Sequence, residues 1–261
     1  MAQIELDTDN RQSLWLLIGG PSKLPKELSK TATDKARKKD DGSYKNGITK
    51  DIKMMKKRIA ESDDFTLFKS LKNMEKLKKK TVLKNITAVI KQAWQKDDPV
   101  PAIIYYTGKA IKDKGDWCFV DATLTIDEFL EAIPPPPQKG GDDDQKGMSD
   151  EDALKDLMEK SSYAVYIICD CSFAGRWRIK LKKVESKVDI FFYGACDGKK
   201  KKLAQDTKEG GKFTRFLLSG NQMLGAPEPV ALEVCDSCLF DSGNILWSDQ
   251  IVNQLKKNAY K

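Results

Sequence analysis

The sequence predicts a three-layer α/β fold in which a mostly parallel sheet lies between two layers of helices. The segments between the strands carry apolar residues at helical spacing, as in residues 48–60 and 81–95. Apolar runs that do not alternate with polar residues are typical of strands buried on both faces, and such strands belong to parallel sheets. The three clearest runs of this kind are residues 102–107, 163–169 and 188–196.

The N-terminal half alternates between predicted strands and helices. An apolar run at residues 13–18 predicts the first strand, and a Gly-Gly-Pro sequence ends it. Residues 20–47 are polar and lack periodicity, which predicts a mobile loop. A helix over 48–60, a short strand over 65–71 and a helix over 81–95 follow.

The second half begins with a strand and two capped helices. Thr125 followed by Glu128 is a capping-box pattern, which predicts a helix over 125–133. Residues 134–148 contain four prolines and three glycines and are predicted to be a mobile linker. The remaining predicted elements are strands at 117–120 and 230–235 and helices at 149–160, 210–219 and 248–257. A single domain over residues 1–261 accounts for all of them.

The charge of the chain permits an anionic partner but does not identify one. Net charge is +7 over 261 residues, and such a balance suits nucleic acid, an anionic membrane surface or an acidic protein. The lysine runs 76–80 and 199–202 have no interleaved aromatic residues, which nucleic-acid surfaces usually provide. We therefore expect solvated loops and a protein partner, with a basic nucleic-acid or phospholipid module as an alternative.

The sequence also predicts a cytoplasmic location. No apolar run approaches the roughly 18 residues that a membrane-spanning helix needs, and the first residues lack a signal-peptide pattern. Four of the six cysteines lie in or beside apolar runs, which favours buried, reduced thiols over a disulfide framework. The chain contains no histidine at all. Histidine is the usual general base near neutral pH, so ordinary acid–base catalysis lacks its main residue.

Chemistry-bearing residues follow three of the predicted strands. The exits are Thr107-Gly108-Lys109, Asp170-Cys171-Ser172 and Asp197-Gly198. In open α/β sheets, functional groups gather beyond the carboxyl ends of the strands. The sequence therefore predicts a site, or the remains of one, at this edge.

Four segments in this order resemble the metacaspases and their caspase relatives. Residues 105–110 (YYTGKA) are similar to the family's Y-Y-S-G-H-G segment, and residues 170–175 (DCSFAG) to its D-S-C-H-S-G segment. Residues 194–196 (GAC) resemble the S-A-C strand, and residues 210–214 (GGKFT) the G-G-x-F-T helix start. Each motif alone is weak, but together they span residues 13–219 and imply a caspase-like sandwich.

The resemblance implies that the catalytic pair is missing. Lys109 stands where the family has its histidine, and Ser172 where it has its nucleophilic cysteine. Cys171 replaces the preceding serine, and Ala110 replaces a glycine of the oxyanion-hole region. Asp170 is retained, and in metacaspases this aspartate helps to bind a basic substrate side chain.

The predicted function is therefore that of a pseudoenzyme which acts by binding a protein, such as an active caspase-like homologue. A cysteine peptidase needs a thiolate and a base that activates it. No catalytic residue and no cofactor are predicted. The predicted remnant of the substrate pocket consists of Asp170, Cys171, Asp197 and Trp177.

Several alternatives remain open from the sequence. Ser172 with Lys109 could form a Ser–Lys dyad if burial lowered the lysine pKa, and Cys171 could act as a nucleophile shifted by one residue. Trp177 could instead be ordinary core packing. Metal binding is not the leading expectation, although Cys235-x-x-Cys238 has metal-ligand spacing and the acidic runs 142–144 and 40–41 could hold calcium.

Overall fold

The computed structural model describes residues 13–22, 43–62, 65–72, 74–95, 99–137, 163–181, 183, 188, 190–195 and 210–218. All statements below concern these residues. The predicted elements at 149–160, 230–235 and 248–257 lie outside them.

A five-stranded sheet forms the middle layer. Its order is β2-β1-β3-β6-β7, and each neighbouring pair is parallel. A short antiparallel pair, β4 with β5, stands apart from it. The strands are β1 (Ser13–Gly19), β2 (Phe65–Leu71), β3 (Ala102–Thr107), β4 (Trp117–Cys118), β5 (Thr123–Leu124), β6 (Val165–Asp170) and β7 (Ile190–Gly194).

Helices cover both faces of the sheet, which confirms the predicted fold class. Apolar residues of α1 and α5 pack on one face, and those of α2, α3 and α4 pack on the other. The helices are α1 (Ser43–Ala60), α2 (Lys79–Trp94), α3 (Ile126–Glu131), α4 (Gly175–Leu181) and α5 (Lys212–Leu218), with a 3-10 turn at Met74–Lys76.

Strand β1 shows how the two cores arise from one run of residues. All seven of its residues are buried. Leu14, Leu16 and Ile18 face the cluster built with α2, whereas Trp15 and Leu17 face the cluster built with α1. Because successive side chains of a strand point to opposite faces, an unbroken apolar run supplies both layers.

Most predicted elements are confirmed to within a few residues, and the capping box of α3 is present. The Thr125 hydroxyl accepts a hydrogen bond from the Glu128 N–H, and a Glu128 carboxylate oxygen accepts one from the Thr125 N–H. This reciprocal pair satisfies two N–H groups that no helical carbonyl can reach.

The loop predicted at residues 20–47 is wrong at its end, because α1 begins at Ser43. Gly47 lies inside the helix, where glycine costs about 1 kcal/mol relative to alanine. Ile52, Met55 and Ile59 of the same helix pack on the sheet, and their burial offsets this cost. Of the predicted linker at 134–148, residues 134–137 form neither helix nor strand, and the rest lies outside the described residues.

Helix α4 and strand β5 were not predicted. The helix has only seven residues, too few to show a period, and it begins with a glycine. Its burial depends on Trp177, whose partner Trp117 is 60 residues away in sequence. No helix among the described residues is long and apolar enough to cross a bilayer.

Candidate functional site

The exits of β1, β3 and β6 lie side by side at one edge of the sheet. Thr107 is the register partner of both Gly19 and Asp170. The Gly108 N–H donates to the Asp170 carbonyl at 3.3 Å, which continues the pairing one residue beyond the strands. Strands β3 and β6 are therefore neighbours in the sheet, and Lys109 and Ser172 each follow this paired row by two residues.

The backbone at Lys109 is fixed by its neighbours. Its carbonyl accepts hydrogen bonds from the Tyr106 hydroxyl at 2.6 Å and from the Cys118 N–H at 3.0 Å. The Tyr106 ring needs the space that glycine leaves at Gly108, where a Cβ would lie 2.6 Å from its hydroxyl oxygen. The Lys109 side chain is partly exposed.

Ser172 lies in a sharp turn between β6 and α4. The next residue, Phe173, has φ of 60°, a left-handed conformation that is rare for a bulky side chain. Its carbonyl accepts from the Arg176 N–H at 3.0 Å, so the turn leads directly into the helix. Ser172 is partly exposed in this turn, whereas both of its neighbours are buried.

Cys171 faces the opposite way from Asp170, into the apolar core beside Cys169. Burial, followed by the neighbouring Cys169, raises the pKa of the Cys171 thiol well above its usual value. Burial likewise raises the pKa of Cys118 to about 12. These groups are therefore neutral thiols at physiological pH, and a neutral thiol is a poor nucleophile. The three described cysteines, Cys118, Cys169 and Cys171, are buried, reduced thiols, as predicted for them.

The other side of the β6 exit holds two buried aspartates, Asp51 from α1 and Asp170 from β6. Asp51 accepts a hydrogen bond through Oδ1 from the Gly211 N–H at 2.6 Å and through Oδ2 from the Thr107 hydroxyl at 2.8 Å. Asp170 Oδ2 accepts from the Thr214 hydroxyl at 2.6 Å and from the Thr214 N–H at 3.2 Å. We call Asp51 and Asp170 the acid pair.

Burial dominates the electrostatics of the acid pair. It raises the pKa of Asp51 to about 8, with the nearby Asp170 carboxylate as the second cause. Burial raises the pKa of Asp170 to about 6, although the hydrogen bonds from Thr214 oppose the shift. Arg215 lowers both values. Two like charges in one dry site repel each other, so the pair retains a proton near neutral pH.

The start of α5 closes over the acid pair. A Cβ at Gly211 would overlap the Asp170 carboxylate, so only glycine fits against it. Gly210 has φ of 92°, a conformation that L side chains rarely adopt, and a Cβ there would lie 2.5 Å from Asp51 Oδ1. The two glycines of the predicted GGKFT segment therefore allow the backbone to reach the carboxylates.

Tyr105 and Thr214 complete the hydrogen-bond network around Asp170. Their hydroxyl oxygens lie 2.5 Å apart. Because the Thr214 hydroxyl donates to Asp170, the Tyr105 hydroxyl is the donor in this contact. Burial raises the pKa of the Tyr105 phenol well above its usual value, so this donor keeps its proton.

Asp51 was missed by the sequence reasoning, although the sequence contains a signal for it. Asp51 lies three residues after Ile48 and four before Met55, on the apolar stripe of α1. Residues at these spacings share a face of the helix, so a carboxylate here must be buried. A lone charge on a buried stripe needs a partner and marks a polar site.

The structure places the Trp177 indole in the core, whereas the sequence predicts it as part of a substrate site. The indole is fully buried and stacks on Trp117 with ring centroids 4.5 Å apart. Phe129 meets both indoles edge-on, at 5.8 and 5.6 Å. This packing favours the alternative of ordinary core packing, and the role of Trp177 in a substrate site stays a prediction. Asp197 lies outside the described residues, so its predicted role stays a prediction.

Within the described ranges, no group of three or more histidine, cysteine or acidic side chains could hold a metal ion. The candidate ligands Cys235, Cys238 and the acidic runs at 142–144 and 40–41 lie outside those ranges.

Comparison with known proteins finds similarity to solved structures only. No protein-family model matches the chain, and no curated protein sequence is similar to it. Among solved structures, the chain is similar to the crystal structure of caspase-1 from Spodoptera frugiperda, at 9% sequence identity. The alignment covers 87% of this chain and 76% of that chain, with a TM-score of 0.44. A score this low carries no argument about activity.

Proposed function

We propose that this chain is a catalytically inactive caspase-like protein that works in the cytoplasm by binding another protein. The observation that carries the proposal is the pair of residues at the adjacent β3 and β6 exits. By the resemblance of the motifs, Lys109 and Ser172 align with the catalytic histidine and cysteine of the metacaspases and caspases, and they follow neighbouring strands. A cysteine peptidase cannot cleave a peptide bond by its usual mechanism when both its nucleophile and its base are replaced.

The neighbouring cysteine does not compensate for the loss. Cys171 is 2% exposed and neutral, because burial raises its thiol pKa. A nucleophile must reach the substrate as a thiolate. The chain also has no histidine that could serve as the base from another position.

The residues beside the site favour an acidic partner segment. The loop between β3 and β4 carries Lys112 and Lys114, and it packs against the start of α4, since a Cβ at Gly115 would lie 3.2 Å from the Arg176 Cβ. Lys180 follows on α4. Lys112 pairs with Asp113 at 3.6 Å and Lys180 pairs with Asp127 at 3.9 Å. The exposed Lys114 is therefore the cation that we expect to attract an acidic peptide.

Peptide cleavage by the purified protein tests the proposal. We expect hydrolysis of Arg-, Lys- and Asp-directed fluorogenic peptides to be the same for the wild type, for Ser172→Ala and for buffer, with an active caspase as the positive control. Cleavage by the wild type above the Ser172→Ala rate would overturn it.

Binding tests the partner class separately. An acidic labelled peptide, such as one of alternating Glu and Leu, should bind the wild type at low salt and weaken severalfold with Lys114→Glu, because Lys114 is exposed beside the site. The matched control is Lys57→Glu, an exposed lysine on α1. Equal loss in both variants would indicate nonspecific attraction by net charge. Preferential binding of an oligonucleotide or anionic vesicles would instead favour the basic-module alternative.

A hydrolase that uses Ser172 and Lys109 is the second candidate. It is favoured by one observation, that both residues are partly exposed beyond paired positions of adjacent strands. A Ser–Lys dyad requires a neutral lysine. A serine-reactive fluorophosphonate should label Ser172 if the dyad works, and labelling should disappear in Lys109→Met. Absence of labelling in the wild type removes this candidate.

A further inference from the structure

The acid pair joins three separate parts of the chain. Asp51 comes from α1 on one face of the sheet, Asp170 comes from the end of β6, and the donors from Gly211 and Thr214 come from the start of α5. Gly211 and Thr214 together donate three hydrogen bonds to the pair, and Thr107 donates another. The carboxylates therefore bind the 210–218 segment to the rest of the fold.

The segment also makes apolar contacts with the rest of the fold. Phe213 and Leu217 pack in the cluster shared with α1 and the sheet. The helix has only seven residues, and a helix of this length is not stable by itself in water. Docking of the segment consequently depends on both the apolar contacts and the bonds to the acid pair.

The charge at this position changes with pH. The described titratable and charged groups that face the pair are Tyr105 on β3, Arg215 on α5 and, behind Asp170, Cys171. Tyr105 and Cys171 stay neutral, so Arg215 is the only cation among these facing groups. When both carboxyls ionise, two negative charges share one buried site with one positive charge, and opening to water becomes more favourable.

We propose that Asp51 and Asp170 form a proton-controlled latch, which holds the 210–218 segment on the sheet while the pair retains a proton and loosens it when both carboxyls are ionised. The latch does not depend on whether the neighbouring Lys109 and Ser172 bind a partner or catalyse a reaction. It does place a conformational change beside them, because Asp170 precedes Ser172 by two residues.

The direction of the pH effect follows from linkage. The pKa values of Asp51, about 8, and Asp170, about 6, both lie above the unperturbed value of 3.8. The docked state therefore holds more protons than the open state between about pH 4 and pH 8. Docking is fully favourable below this window and weakens as the pH rises through it, by up to tenfold for each pH unit over which one proton is lost.

Hydrogen exchange of the full-length protein at pH 6.0, 7.0 and 8.5 tests the latch, after correction for the intrinsic pH dependence of exchange. We expect peptides that cover 210–218 to exchange at least tenfold faster at pH 8.5 than at pH 6.0, and to exchange faster than peptides of β3 at every pH. In Asp51→Asn, which cannot ionise, the difference should fall below threefold. The matched control is Asp116→Asn, another buried aspartate whose pKa burial raises, away from α5. It should retain the wild-type response.

Three results would overturn the latch: no pH response in the wild type, a full response in Asp51→Asn, or exchange of 210–218 at the same rate as β3, which indicates that the segment opens only by global unfolding. If Asp51→Asn does not fold, Arg215→Met serves instead. Removing this cation should make the 210–218 segment exchange faster at pH 8.5 than in the wild type. An unchanged rate in that variant also counts against the proposal.

Discussion

The two faces of the sheet differ sharply at the end of β6. On the α1 and α5 face, Asp170 and Asp51 form a buried polar network with Thr107, Thr214 and the backbone of α5. On the α3 and α4 face, Trp117 and Trp177 form an aromatic stack surrounded by apolar residues. The polypeptide crosses from one environment to the other between consecutive residues, Asp170 and Cys171.

This difference indicates how stability is distributed around Lys109 and Ser172. Aromatic packing depends little on pH or salt and fixes the turn that carries Ser172. The polar network depends on protonation, because burial of its carboxyls is costly. We therefore expect the aromatic wall of the site to keep its packing between pH 6 and pH 8.5, and the polar wall to respond to pH.

The largest test of this contrast removes the aromatic wall. Trp177→Ala deletes a fully buried indole and should lower the free energy of unfolding by about 3–5 kcal/mol, with little change between pH 6 and pH 8.5. Urea denaturation at the two pH values measures both quantities. Ile179→Ala on the same helix is the control, because Ile179 is 44% exposed and its loss should cost well under 1 kcal/mol. A strongly pH-dependent loss in Trp177→Ala would break the contrast.

The second test titrates the polar wall. Stability of the wild type should decline as pH rises from 4 to 8, since the pKa of Asp170 is raised to about 6 and that of Asp51 to about 8. Asp170 alone corresponds to a loss of about 3 kcal/mol, at about 1.4 kcal/mol for each pKa unit. Thermal or urea unfolding across this range measures the slope. Asp170→Asn should reduce the slope, and Asp51→Asn should reduce it further, because the pKa of Asp51 is raised more. An unaltered slope in both variants would assign the pH dependence elsewhere.

The smallest of the three tests removes one hydroxyl from the network. Thr214→Val keeps the shape of the side chain but removes two hydrogen bonds of the Thr214 hydroxyl, one with Asp170 and one with Tyr105. We expect a loss of about 1–3 kcal/mol and a higher pKa for Asp170, because a donor that favoured its charged form is gone. Carboxyl NMR titration reads the pKa directly. Thr49→Val, whose exposed hydroxyl bonds the Lys45 carbonyl of the same helix, should change stability by less than about 0.5 kcal/mol.

The sequence by itself determined the layers of the fold. Apolar runs such as Ala102–Thr107 predict strands that are buried on both faces. The apolar residues at helical spacing from Ile48 onwards predict a helix that packs on these strands. It also placed Lys109 and Ser172 beyond the ends of two strands. Periodicity and strand exits are local properties, so local residues suffice to predict them.

Only the tertiary structure decided which residues meet. Asp51 and Gly211 are 160 residues apart in sequence, yet they share a hydrogen bond, and no local pattern pairs them. Trp177 lies two residues after the 170–175 motif in sequence, yet its indole stacks on Trp117 in the core. Long-range pairing depends on strand order and on which face each side chain takes, and these are properties of the assembled sheet. The physical reason is that a side chain acquires its environment, and with it its pKa and its accessibility, only when distant elements pack around it.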